Sequence, residues 1–240
     1  WTVVIDDSHP PVAPLPPYHV IAQTHAATLE LDPIDPTDDG AADYAGPLLS
    51  DVDFGSFSRS ALVRIADEVC LQMHLLNLSF QHAVRQRATD DEQAVEIVTK
   101  QLVGIAGIAA ERIARALGLD DPVRVLELHP LLNPAAYVDA SVQDGVLTVR
   151  PGPATADGAW ITLCGPGRTR PLEAVLRAVD PHLDVEVTGS DTQWTAALVR
   201  RAAPAPEAAE VAVARFSTGS SFAFAPRRSL PITPVSTDPV

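Results

Sequence analysis

Residues 58–87 contain neither proline nor glycine, in a chain that holds 22 prolines and 13 glycines among its 240 residues. A stretch of that length without a breaker, with apolar side chains at helical spacing, has little choice but to be one long helix. Ile65, Val69, Met73, Leu76 and Phe80 recur along one line of it, and Leu71, Leu75 and Leu78 along another. Two apolar lines need contacts on two sides, so the helix is expected inside the fold or in a subunit interface. Thr89-Asp-Asp-Glu92 then reads as a capping box in which the Thr hydroxyl accepts from the Glu92 amide. A second helix is predicted over 90–117, stopped by Gly118 and Pro122. The short connection makes the pair an antiparallel αα-hairpin.

In the second helix Ala106, Ala110 and Ala114 recur every four residues beside Gly104 and Gly107. A helical glycine costs about 1 kcal/mol relative to alanine, and close packing of another backbone is the compensation to expect. An internal helix contact is the plainer reading of this line, and a homodimer seam the sharper one.

Beyond Pro122 the apolar period changes to two. Strands are predicted at 123–128, 137–142, 146–150, 159–163, 183–188, 194–201, 211–216 and 221–225, with a helix at 171–179 that opens on a proline. Asp144-Gly145 supplies the positive-φ turn of a hairpin. Ahead of the helices, residues 1–5 and 18–31 read as strands and the prolines of 10–17 exclude helix there. The Pro/Asp/Gly-rich residues 32–50 read as an acidic loop. The fold class predicted is therefore α+β: a central antiparallel αα-hairpin packed with a mainly antiparallel β-sheet. It is expected as one domain over 1–225 (N-terminal strands 1–31, acidic loop 32–50, αα-hairpin 58–117, β-rich part 123–225), followed by a tail at 226–240.

Charge narrows the function classes. The formal net charge is −14, and residues 1–58 hold ten acids with no Lys or Arg. Such a chain is repelled by a polyphosphate backbone or an anionic membrane unless its bases cluster, so neither nucleic acid nor membrane is expected as a partner. Apolar runs end well short of ~20 residues, so no spanning segment is predicted. Cys70 and Cys164 do not make a disulfide framework, no basic-then-apolar leader opens the residues given, and a cytoplasmic location is expected. Sixteen of the seventeen bases are Arg, which with the abundant Ala reads as a bacterial coding bias.

One short stretch carries candidate chemistry. Cys164-Gly165-Pro166-Gly167-Arg168-Thr169-Arg170 lies between a predicted strand and a predicted helix. Glycines leave amides open, a helix start carries partial positive charge, and two guanidinium groups stand nearby, which suits a phosphate or carboxylate. Gly165, Gly167, Arg168 and Arg170 are the candidate anion ligands. The spacing Cys164-x-x-Gly167-x-x-Arg170 resembles the phosphate-binding loop of cysteine-dependent phosphatases. That resemblance implies a Cys164 thiolate attacking phosphorus while amides and Arg170 hold the oxygens; Leu163 stands where many of those enzymes have His, and Pro171 where Ser or Thr follows.

Asp67, His74, Asn77 and Gln81 form a polar strip between the two apolar lines and are candidate pocket-lining residues. His19 and His25, on one predicted strand, would stand ~20 Å apart, too far to share a metal. No metal or cofactor is expected, and the nucleotide-loop, dinucleotide, nucleophile-elbow and zinc-protease motifs are absent. The expected role is a binding or interaction protein that takes a small anion at 164–170 and self-associates. The alternatives are an enzyme on a small anionic substrate with Cys164 as nucleophile, and an assembly component whose acidic residues 1–58 dock on a basic partner.

Overall fold

The computed structural model describes residues 16–44, 46 and 52–217; the strands predicted at 1–5 and 221–225 and the tail at 226–240 lie outside them. Two short helices, α1 (Pro16–Ile21) and α2 (His25–Thr28), occupy the segment predicted as a strand over 18–31. Prolines are tolerated in a first helical turn, where their missing N–H has no partner to lose. Thr24 caps α2 by accepting from the Ala27 amide. These local caps outweigh the alternation of Ile21, Ala27, Leu29 and Leu31.

The hairpin is present. Helices α3 (Arg59–Arg85) and α4 (Asp91–Leu117) are 27 residues each. Ser58 caps α3 through the Ala61 amide, and Asp90 caps α4 through the Gln93 amide at 2.8 Å. The box is thus shifted by one residue from the Thr89–Glu92 reading: Gln93 reaches back to the Thr89 amide at 2.9 Å. Asp accepts as well as Thr and adds a negative charge beside the helix dipole.

The sheet is four-stranded and wholly antiparallel, in the order β1 (Ala140–Gln143), β2 (Val146–Val149), β4 (Trp194–Arg200), β3 (Leu183–Gly189). Asp144 and Gly145 both take positive φ in the β1–β2 turn, as predicted. Leu147, Val149, Trp194, Ala196, Leu183 and Val185 point into the core.

Three other predicted strands are helical. Residues 123–128 fall in α5 (Pro122–Glu127), because Asp121 accepts from the Val123 amide and Pro122 presets the first turn. After the four-residue α6 (Pro153–Ala156), residues 159–163 form a 3-10 turn, Trp160–Leu163, anchored by the Trp160 ring N–H donating to Leu131 O at 2.6 Å. Helix α7 (Arg170–Arg177) matches the helix predicted at 171–179. Residues 211–216 belong to α8 (Ala209–Ser217), which lies on α4.

That last contact explains the small residues of α4. A Cβ on Gly104 would stand 2.7 Å from Glu210 O, and one on Gly107 2.6 Å from Val211 Cγ2. Ala106 and Ala110 are fully buried in the main core. The glycines thus meet α8 and the alanines meet the main core, which are internal contacts of the kind the plainer reading expects. His129, also fully buried, donates Nε2–H to Ala106 O at 3.1 Å and accepts the Leu131 amide at Nδ1, so burial that pushes its pKa down to about 4 leaves it neutral and bonded. No described helix is long and apolar enough to cross a membrane.

Gly104→Val is expected to cost about 1–3 kcal/mol through overpacking. Hydrogen exchange should speed up in 209–217 while the sheet keeps its protection; equal loss everywhere would mean that α8 is not a separable seam.

Candidate functional site

The turn before α7 is compact and closed. Gly165 and Gly167 take φ of 133° and 74°, and Arg168 N–H donates to Gly165 O at 2.9 Å. These are left-handed conformations that glycine adopts without cost. Cys164 is fully buried at the end of the 3-10 turn. Burial pushes its thiol far above the ordinary range, and the nearby Arg168 charge offsets only part of that. The two arginines part company. Arg168 reaches Asp191 in the β3–β4 turn at 2.9 Å, and Arg170 reaches Glu210 on α8 at 2.5 Å. Each of the two candidate anion ligands thus pairs with a carboxylate of the chain itself, while its side chain stays partly exposed.

A cleft of about 220 Å³ opens beside Arg170, floored by Val103, Ala174, Ala208 and Val211. Its cations are engaged as well. Arg177 pairs with Glu173 at 3.0 Å and with Asp184, and the lining carboxylates Glu111 and Glu207 both pair with Arg215 of α8. The cleft rim is a closed ion-pair network rather than a bare charge waiting for a ligand.

The polar strip of α3 does not line one pocket. His74, 1% exposed, sets Nε2 2.9 Å from Asn133 O and its ring edge-on to Tyr137. Desolvation pushes its pKa down to about 4, although bonds to the Asn133 and Pro130 carbonyls act the other way. Gln81 donates to Asn77 Oδ1 at 2.8 Å, and both side chains are buried. Asp67 lies at the far end of the strip, in a separate acidic cleft with Asp32, Asp35 and Asp38. Burial first, and the charge of Asp32 second, raise its carboxyl. The strip is thus a set of core hydrogen bonds plus one peripheral carboxylate.

Sequence reading missed Asp157. Its carboxylate accepts the His25 and Ala26 amides at 2.9 Å each and the Tyr137 hydroxyl at 2.8 Å, and stands 2.8 Å from His25 Nδ1. It therefore caps α2 from 132 residues away and pins the N-terminal segment to the body. No local pattern announces a cap so distant in sequence. Burial raises the Asp157 carboxyl, but the four bonds prevail and hold it below the ordinary 3.8. Among the described residues no group of three or more His, Cys, Asp or Glu could hold a metal ion.

What α3 leaves uncovered includes a line of apolar side chains, with exposed Arg59 and Glu68 near its N-terminal end. Leu71 and Leu78 face the core, whereas Val69 is 56% and Leu76 69% exposed, with Leu62 and Ile65 also in the open. Leu62, Ala66, Val69, Met73, Leu76 and Phe80 alternate at spacings of four and three, the heptad pattern of a helix that packs along another helix. None of these side chains, nor the flanking Val63, Ile65, Cys70, Gln72, Asn77 and Ser79, carries a formal charge. The line of Ile65, Val69, Met73, Leu76 and Phe80 was legible from periodicity; the register through Leu62 and Ala66 is set by which side chains the core leaves out. No family pattern, curated protein or solved structure matches the chain.

Two outcomes follow from this geometry. Iodoacetamide should alkylate Cys164 only on unfolding, and Cys70, whose thiol is raised to about 11 by burial and the Asp67 charge, only slowly in the fold; rapid native labelling of Cys164 at neutral pH would restore the nucleophile reading. Asp157→Asn should cost about 1–3 kcal/mol by leaving buried donors ill-matched. Because the folded Asp157 titrates below 3.8, its contribution is complete above that value and fades as pH falls through the folded pKa. Wild type and variant melting curves should therefore converge below pH 3.8; a constant gap would exclude the carboxylate as the cause.

Proposed function

We propose that this chain is an interaction protein that self-associates through the exposed face of α3, rather than an enzyme or a receptor for a free anion. The observation that carries the reading is the uncharged heptad line on a molecule whose net charge is −14. Two copies of so acidic a chain repel one another, and only a charge-free surface lets them approach without burying unpaired carboxylates. Exposed single apolar side chains are ordinary; a continuous line of them in one helical register marks an interaction surface.

The chemistry at 164–170 weighs the other way. An anion at this turn has to compete with Asp191 for Arg168 and with Glu210 for Arg170. A fully buried thiol with a raised pKa supplies little thiolate at neutral pH, which also disfavours the phosphatase-like alternative.

The test is the Leu76→Glu variant. Leu76 is 69% exposed in the single chain, so in dilute samples, where both proteins are dissociated, the melting temperature is expected to stay within about 2 °C of wild type. Losing an interfacial Leu costs about 2 kcal/mol per copy, and a symmetric pair counts it twice, so Kd should rise by roughly a thousandfold. Added salt should strengthen wild-type association by screening the shared negative charge. A wild-type mass of 25.4 kDa at every concentration, or an oligomer indifferent to Leu76→Glu, rejects the reading.

A further inference from the structure

Helix α8 is held differently from the rest of the β-rich half. It has nine residues, too few for a helix to stand in water without support. Val211 is its one buried side chain, set among Val103, Ile108 and Ala174 with Ala208 and Ala214 at the margin. This small cluster is separate from the main core. Val213 and Phe216 face outward, 67% and 68% exposed. Beneath the helix, Gly104 meets the Glu210 carbonyl closely but has no side chain to bury there.

The remaining ties run between opposite charges at the two ends of α8. Glu210 in its first turn meets Arg170 of α7 at 2.5 Å, and Arg215 in its last turn meets Glu111 of α4. An acid at the start and a base at the end also suit the dipole of α8. All four side chains keep contact with water: Arg170 is 51% exposed, Arg215 27%, and Glu111 and Glu210 19% each. Arg215 also holds Glu207 in the preceding linker, so linker end and helix form one unit. Among the described residues, the last backbone bond from that linker to the body is Ala205 N–H to Pro181 O at 2.8 Å.

We infer that α8 is an ionic latch: it lifts from α4 and α7 as a unit while the hairpin and the sheet stay folded, and ionic strength sets how often it lifts. Salt screens partly exposed pairs strongly, with a Debye length of ~3 Å at 1 M. Other arginine pairs of the β-rich half are screened as well, yet the elements they join have further support. Arg200–Asp180 and Arg201–Asp184 lie beside β3 and β4, which share a backbone ladder and bury Leu183, Val185, Trp194 and Ala196. Helix α8 has no ladder and a single buried valine, so it is the first element that screening loosens. Lifting opens a seat of helix width. The cleft of about 220 Å³ beside Arg170 loses Ala208 and Val211 from its lining and joins the bared surface of Gly104 and Gly107, while Arg170 and Glu111 lose their partners on α8. No residue of α3 takes part, so the latch stands or falls apart from self-association.

Native-state hydrogen exchange on the full chain reads the opening directly. Dilute protein is compared at about 0.05 M and about 1 M sodium chloride, with rates corrected by the salt response of an unstructured peptide. Amides of 211–217 are expected to exchange about fivefold faster at high salt, because two partly exposed pairs weaken together. Those of α4 and of β3–β4 should change by less than about twofold. The double variant Arg170→Met, Arg215→Met keeps much of each side-chain stem without its charge. It should exchange fast in 211–217 at low salt already and lose the salt response. Protection of its sheet amides checks that it is folded; without that protection the wild-type response alone decides. Exchange of 211–217 that is indifferent to salt in the wild type overturns the latch, and so does a folded double variant with the wild-type response. Acceleration of α8 and the sheet in step overturns it too, since that reports a loosening of the whole fold.

Discussion

The closeness with which other backbones approach α4 governs the rest of the molecule. Gly104 and Gly107 admit α8, the buried Ala106 and Ala110 admit the main core, and His129 bonds the Ala106 carbonyl from within. Helix α4 is therefore wrapped on several sides by its own chain. Helix α3, equally long, is held along one side through Leu71, His74 and Leu78. Among the described residues nothing covers the outer side of α3 in this way, and its heptad line faces outward. Tight internal packing of one hairpin arm goes with apolar side chains left exposed on the other.

Electrostatics completes the same division. Six arginines of the β-rich half (Arg168, Arg170, Arg177, Arg200, Arg201 and Arg215) each reach a carboxylate of the chain. On a strongly acidic molecule these pairs hold β3, β4, α7 and α8 against one another, and their exposed members contribute little singly. Spent in this way, the cations that a phosphate-binding turn needs are not gathered at residues 164–170. The buried Cys164 belongs to the core beside Trp194, where a Cβ on Gly165 would touch the indole ring. A basic motif on paper is thus a set of internal ties in three dimensions.

Much of the architecture was legible from local signals. The breaker-free run gave α3, the Asp-Gly turn gave β1–β2, and the proline-led start gave α7. Errors fell where short β-branched alternations competed with caps or with distant contacts. Val123 and Val125 look like a strand until Asp121 and Pro122 are weighed as a helix start. Val211 and Val213 look like one until Gly104 and Gly107 are known to lie beneath α8. The ion-pair partners of the arginines in the 164–170 turn were illegible for a related reason. Arg168 and Asp191 are 23 residues apart, Arg170 and Glu210 are 40, and no pattern in sequence pairs them. The apolar line of α3 was legible in advance, but its exposure depends on what the rest of the chain chooses to bury.

Met73 is the chain's single methionine, and it sits in the middle of that line. Its rate of sulfoxidation by peroxide therefore reports directly on whether the face is covered, without any substitution. The account predicts that the rate falls several-fold between dilute protein, where the chains are apart, and concentrated protein, where α3 is paired. A rate that stays the same across a range in which light scattering records association would place the contact elsewhere and contradict it.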